Sequence, residues 1–175
     1  MKTGRAATAA REARKQIGKT QLQLSMDLFE SREAISQQEN GRYRVQPNVA
    51  QYFANKHNDP WVGFEAASEY FGWGPVKLDG EAVDLHRTTI SLKTKEELEE
   101  ALEAMLEASK KLTVNPQSID QIEINVIEKS VHECVDAITA LNHYVAAICK
   151  EYGISWVKVW TQHKMKLIQR RFLKK

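Results

Sequence analysis

Cysteine is scarce: the 175 residues hold only Cys134 and Cys149. On one helix they would stand about 22 Å apart at ~1.5 Å per residue, beyond the reach of a disulfide. A reduced, cytoplasmic setting is therefore expected. No apolar run approaches the ~18 residues of a membrane span, so no membrane association is expected. MKTGRAATAAREARK at the N-terminus has no apolar core and no cleavage site, and no leader is expected.

Chemical motifs are missing too. There is no GxSxG, no P-loop and no GxGxxG. His57, His86, His143 and His163 form no ligand spacing. His132-Glu133-Cys134-Val135-Asp136 is not an H-E-x-x-H site, and Cys134 lies on an apolar stripe, where a core cysteine is the better reading. With no nucleophile, metal set or phosphate loop, neither an enzyme nor a cofactor is expected.

What is present is globular in composition, at 42% hydrophobic residues. The net charge of +2 conceals a division. Residues 1–58 carry ten Lys/Arg against five Asp/Glu, residues 59–153 eight against eighteen, and residues 154–175 seven against none. Such asymmetry suggests segments with different partners, and a basic front end is compatible with nucleic acid.

Helical signals fill the first 71 residues. Ala10, Ala13 and Ile17 share a face, and Gly18 is a natural stop. Thr20 with Gln23 forms a capping box for a second helix, with Leu24 and Leu28 inward. Ser31 caps a third. Pro47 suits the first turn of a fourth, and Asp59-Pro60 repeats the start signal for a fifth, through about Phe71. The expectation is an all-α chain: a five-helix domain over 1–71, a linker over 72–93 with a possible hairpin at Asp79-Gly80, and a helical domain over 94–175.

In that last region Thr94 with Glu97 reads as a capping box, and Leu98, Ala101, Leu102, Met105 and Leu112 as an apolar stripe. TVNPQS at 113–118 is a break, after which Ser118 and Gln121 cap a long helix. Its stripe is Ile124, Ile127, Val131, Cys134, Ile138, Leu141, Val145, Ile148 and Tyr152, in alternating steps of three and four. It reads either as the centre of an intramolecular three-helix bundle or as the seam of a dimer. Apolar flanks at Val135, Ala137 and Cys149 favour the bundle. A basic helix follows Gly153, with Trp156, Val157, Trp160, Leu167, Ile168 and Phe172 as its buried candidates. The glutamates at 96, 97, 99, 100, 103 and 107 form a solvated face that the tail from Lys158 to Lys175 is placed to complement. That tail is otherwise free for DNA or a protein.

The stretch SREAISQQENG, residues 31–41, carries the function. If 32–38 is helical, Arg32, Glu33, Ser36 and Gln37 share one face, and Ile35 points back toward the preceding helix. An outer face made only of hydrogen-bonding groups suits the major groove. An ordinary solvated helix looks the same in isolation, so the surrounding residues decide.

Residues 18–41, GKTQLQLSMDLFESREAISQQENG, resemble the helix-turn-helix of the XRE/Cro-like family of phage and bacterial repressors. The matching residues are Thr20-Gln21, Leu24 and Leu28, the turn at 29–30, Ser31-Arg32-Glu33-Ala34-Ile35-Ser36 and Glu39-Asn40-Gly41, without a gap. The resemblance covers about residues 6–70. It implies a five-helix lambda-repressor-like domain and a partner in double-stranded DNA, bound as a two-fold operator by a homodimer or higher oligomer. Helix 31–38 would be the recognition helix, with Arg32, Glu33, Ser36 and Gln37 reading bases. Gln21, Asn40, Arg42 and Arg44 would hold phosphates, and Arg14 with Glu39 would form a structural ion pair. The cell implied is bacterial, infected by phage or carrying a prophage. A protein partner such as an antirepressor is compatible, and the alternative function is an antitoxin-like or adaptor protein working through its C-terminal helices. Four positions depart from the pattern. Phe29 replaces the turn glycine, Glu30 an apolar residue, Lys19 a leucine, and Gln38 an aromatic or apolar residue.

Overall fold

The Thr20 hydroxyl accepts from the Gln23 N–H at 3.1 Å, while the Gln23 amide oxygen accepts from the Thr20 N–H at 2.8 Å. This reciprocal cap is the one Thr-x-x-Gln encodes. Ser31 repeats half of it, its hydroxyl accepting from the Ala34 N–H at 3.0 Å. Pro47 occupies the first turn of the next helix, and the Trp61 N–H after Asp59-Pro60 donates to the Asp59 carboxylate at 3.0 Å. In the computed structural model, which describes residues 4–174, these signals yield α1 (Arg5–Gln16), α2 (Gln21–Leu28), α3 (Arg32–Glu39), α4 (Pro47–His57) and α5 (Trp61–Phe71). After them come α6 (Arg87–Ser109), a 3-10 turn at Pro116–Ser118, α7 (Gln121–Glu151) and α8 (Trp156–Gln169).

The chain is all-α, with no strand among the described residues. The hairpin expected at Asp79-Gly80 is a correction: that stretch makes a turn, with the Val83 N–H donating to the Gly80 carbonyl at 3.0 Å. Its arms, VKL and EAVDL, are short, and two isolated strands are marginal in water. Helix α6 begins seven residues before the expected start at Thr94, with His86 at the N-cap position and no side-chain cap. Thr94 is buried inside the helix, and its hydroxyl donates to the Ala140 carbonyl at 3.2 Å. At the start of α7 the Glu123 N–H is received by the Asp120 carboxylate at 2.8 Å, so Asp120 takes the role expected of Ser118.

Two units result. One runs to Leu78 and resumes at Ile148; the other covers Asp79–Ala147. The first holds a core of Ala6, Ala10, Ala13, Leu24, Ile35, Val45, Val49, Phe53, Val62 and Ala66. The alanines form one stripe of α1, small enough to bring its backbone close to α5. A buried carboxylate locks that contact: Glu65 accepts from Arg5 Nε and Nη2, each at 2.9 Å, and from the Lys77 N–H at 2.8 Å. Helix α8 belongs to this unit through Asn58. This residue sits in the left-handed region (φ 55°). Its amide donates to the carbonyls of Cys149 at 2.9 Å and Ile154 at 2.7 Å, and its oxygen accepts from the Trp156 N–H at 2.6 Å. Trp156 is buried, edge-on to Phe64 at 5.8 Å. Trp160 and Phe172, expected as buried candidates, are 48% and 75% exposed.

The second unit is a pair of antiparallel helices, α6 and the greater part of α7. Ala101, Ala104 and Ala108 of α6 and Ser130 and Ala137 of α7 are its buried residues at mid-length. Helix α8, expected as the third member of a bundle around the α7 stripe, is grouped with the first unit. Small residues carry the pairing, and Val131, Ile138 and the α6 residues Leu98, Leu102 and Met105 are exposed.

Candidate nucleic-acid interface

The placement of α3 follows from which of its residues are worth burying. Ile35, Gln38 and Glu39, at i, i+3 and i+4, are buried. Arg32 and Glu33 are exposed on the opposite side, and Ser36 and Gln37 are half-buried beside them. All four groups expected to read bases therefore line one accessible side of one short helix. Glu33 lies in the first turn, where the helix dipole favours a negative charge.

The Arg14–Glu39 pair forms as expected. Arg14 Nε and Nη2 donate to the two carboxylate oxygens at 2.6 and 2.8 Å, and both side chains are almost wholly out of water. Bonding to Glu39 raises the Arg14 pKa above its ordinary value, outweighing burial, which lowers it. Arg14 Nη1 donates to the Lys19 carbonyl at 2.7 Å, tying α1 to the start of α2. Gln21, expected to hold a phosphate, donates to the same Glu39 carboxylate at 2.9 Å. Arg11 Nη2 reaches the Glu39 carbonyl at 2.8 Å. One buried acid thus organises α1, α2 and α3.

Past α3, Asn40, Arg42 and Arg44 are exposed. The Asn40 amide donates to Ser36 Oγ at 3.3 Å. The N–H groups of Arg42 and Tyr43 close on the Gln37 carbonyl at 2.9 and 3.2 Å, and buried Val45 pins the loop. The Arg44 guanidinium lies over the Tyr70 ring at 4.8 Å, a cation–π contact that holds it while leaving its edge in solvent.

No family model, curated protein or solved structure matches this chain. The site stands on its own geometry.

Of the four departures, Glu30, Gln38 and Lys19 are compensated by new polar contacts, and Phe29 is not. Phe29 takes the left-handed conformation (φ 55°, ψ 39°) with its ring 97% exposed, and the turn still closes through the Glu30 N–H on the Ser25 carbonyl at 2.9 Å. Phe29→Gly removes a Cβ clash worth about 1 kcal/mol and is expected to raise stability in denaturant titrations by up to that amount. A loss of stability instead would show that the exposed ring makes a contact the fold needs.

Glu30 and Gln38 compensate each other. Glu30 accepts from the Gln38 amide at 3.2 Å and from the Asn48 amide at 2.5 Å, and the Gln38 oxygen accepts from the Gln46 N–H at 2.8 Å. A polar link between the turn and the start of α4 stands where an apolar pair was expected. Lys19 bonds to Asp27 and donates to the Tyr52 hydroxyl at 3.0 Å, and that hydroxyl donates to Asp27 at 2.5 Å. Bonding to Lys19, then to Tyr52, holds the Asp27 carboxyl below its ordinary pKa. Sequence reasoning missed Tyr70, Asn48 and Tyr52. The one signal available was that two polar residues replaced two apolar ones together.

Proposed function

We propose that this chain is a sequence-specific DNA-binding transcriptional regulator, a repressor of phage or prophage type. In this reading α1–α5 form a lambda-repressor-like domain acting in the bacterial cytoplasm. The observation that carries it is the division of α3: Ile35, Gln38 and Glu39 are buried, while Arg32, Glu33, Ser36 and Gln37 remain accessible on the other side. Arg32 pairs with guanine, Gln37 with adenine, and Glu33 accepts from a cytosine amine. Asn40, Arg42 and Arg44 sit beside the helix and fix its register on phosphates. A helix of 8 residues covers only one half-site, so a full operator takes two copies.

Selection of bound sites from a random DNA pool, followed by gel shifts on the winner, tests this reading. Arg32→Ala and Gln37→Ala are expected to lose discrimination at one base pair each, by about 1–3 kcal/mol. Arg44→Ala is expected to weaken specific and random DNA alike and to lower the salt slope by about one phosphate. If all three variants behave identically on chosen and random sequence, α3 does not read bases.

A further inference from the structure

The α6–α7 pair has two unlike broad sides. Its register is fixed at two levels, by Thr94 Oγ1 on the Ala140 carbonyl and by Lys111 Nζ on Glu123 at 2.8 Å. Between them the helices meet through alanine and serine, which hold no bulk to spare. On one side Glu100, Glu103 and Glu107 of α6 share a groove with Lys129 and Glu133 of α7. At 100° per residue, Leu98, Leu102 and Met105 lie on the far flank of the Ala101 row. Ile124, Val131 and Ile138 lie on the matching flank of the Ala137 row. All six are between 42 and 58% exposed.

We propose that this uncovered apolar side is the seam on which a second copy of the chain docks, giving a symmetric four-helix bundle. Two observations choose that occupant. The α7 row from Ile124 to Leu141 contains no charge, so it mates with itself without repulsion; the glutamate side would repel its own copy. Ile124, Val131 and Ile138 are spaced by seven, as are Leu98 and Met105, the repeat that packs helices at the shallow angle of four-helix bundles. An isologous contact of this kind supplies the second half-site reader that the operator reading requires, but the seam itself does not depend on DNA.

The test is therefore run without DNA, by sedimentation velocity on the full chain at tens of micromolar. The parent is expected at twice the 20.0 kDa chain mass. Val131→Glu with Ile138→Glu, and separately Leu102→Glu, are expected to sediment as single copies with helical circular dichroism retained, self-association falling by at least ~100-fold. Glu103→Gln, on the acidic side, is expected to keep the two-copy mass. Either apolar-side variant going to a folded single copy supports the seam. A parent mass other than two copies, a two-copy mass kept by both apolar-side variants, or loss of helix in both overturns it. DNA binding plays no part in the readout, so a failed seam leaves the recognition of bases to its own experiment.

Discussion

Glu39→Ala is expected to destabilise the protein by about 3–5 kcal/mol, because it strands a buried guanidinium without its counterion. Arg14 is almost wholly out of water, and two of its three bonded nitrogens rest on that carboxylate. Gln21 would lose its acceptor as well. The cost reflects desolvation without compensation rather than any large intrinsic worth of the pair. Removing both charges should therefore be far milder than removing one: Arg14→Met with Glu39→Met is expected to recover most of the loss, a coupling that a double-mutant cycle in denaturant reads directly. A single-variant loss under about 1 kcal/mol would mean that water reaches the site.

Ile35 offers a second large effect, graded by chemistry. Its side chain is 1% exposed and is the one large apolar residue of α3. Ile35→Val should cost about 1 kcal/mol and Ile35→Ala about 2–4 kcal/mol, the removed methyl groups leaving a cavity the small helix cannot collapse into. Ile35→Asp should cost roughly 4 kcal/mol or more, since it buries a charge in an apolar core with no cation to pair it. Under the proposed function each step weakens DNA binding on every sequence alike, because what is lost is the seating of α3 rather than a base contact. Amide exchange over 32–39 rising ahead of the rest of the chain would mark that local loosening. Base-specific loss from Ile35→Val would contradict the assignment of Ile35 to the inner face.

The parts legible in the sequence were the ones decided locally. Thr20, Ser31, Pro47 and Asp59 act on backbone groups within one turn, so their identity and spacing sufficed to place α2 to α5. The same rule failed at Thr94 and Ser118, where a cap-like residue lay inside a helix or two residues before the true cap, Asp120. The Arg14–Glu39 pair was reached only through resemblance, and Arg5–Glu65, sixty positions apart, gave no local signal at all. The regular α7 stripe fits a bundle core or a dimer seam alike, and the apolar flanks at Val135, Ala137 and Cys149 tipped the reading toward a bundle. Periodicity reports that a helix has an apolar side, and it is silent on what meets that side. Here Ala101, Ala104 and Ala108, at nearly the same spacing, carried the contact and left the larger side chains outside. On α3 the outward face was legible because one isoleucine among polar residues fixes which way the helix lies.

The link between Glu30 and Gln38 constrains how this chain can drift. Leucine at position 30 alone leaves the buried Gln38 amide without its acceptor, and leucine at position 38 alone takes from Glu30 one of its two donors and from the Gln46 N–H its acceptor, so single steps lead downhill. Descendants are expected to keep both or to exchange both together, and libraries that randomise this turn one codon at a time will miss the apolar solution.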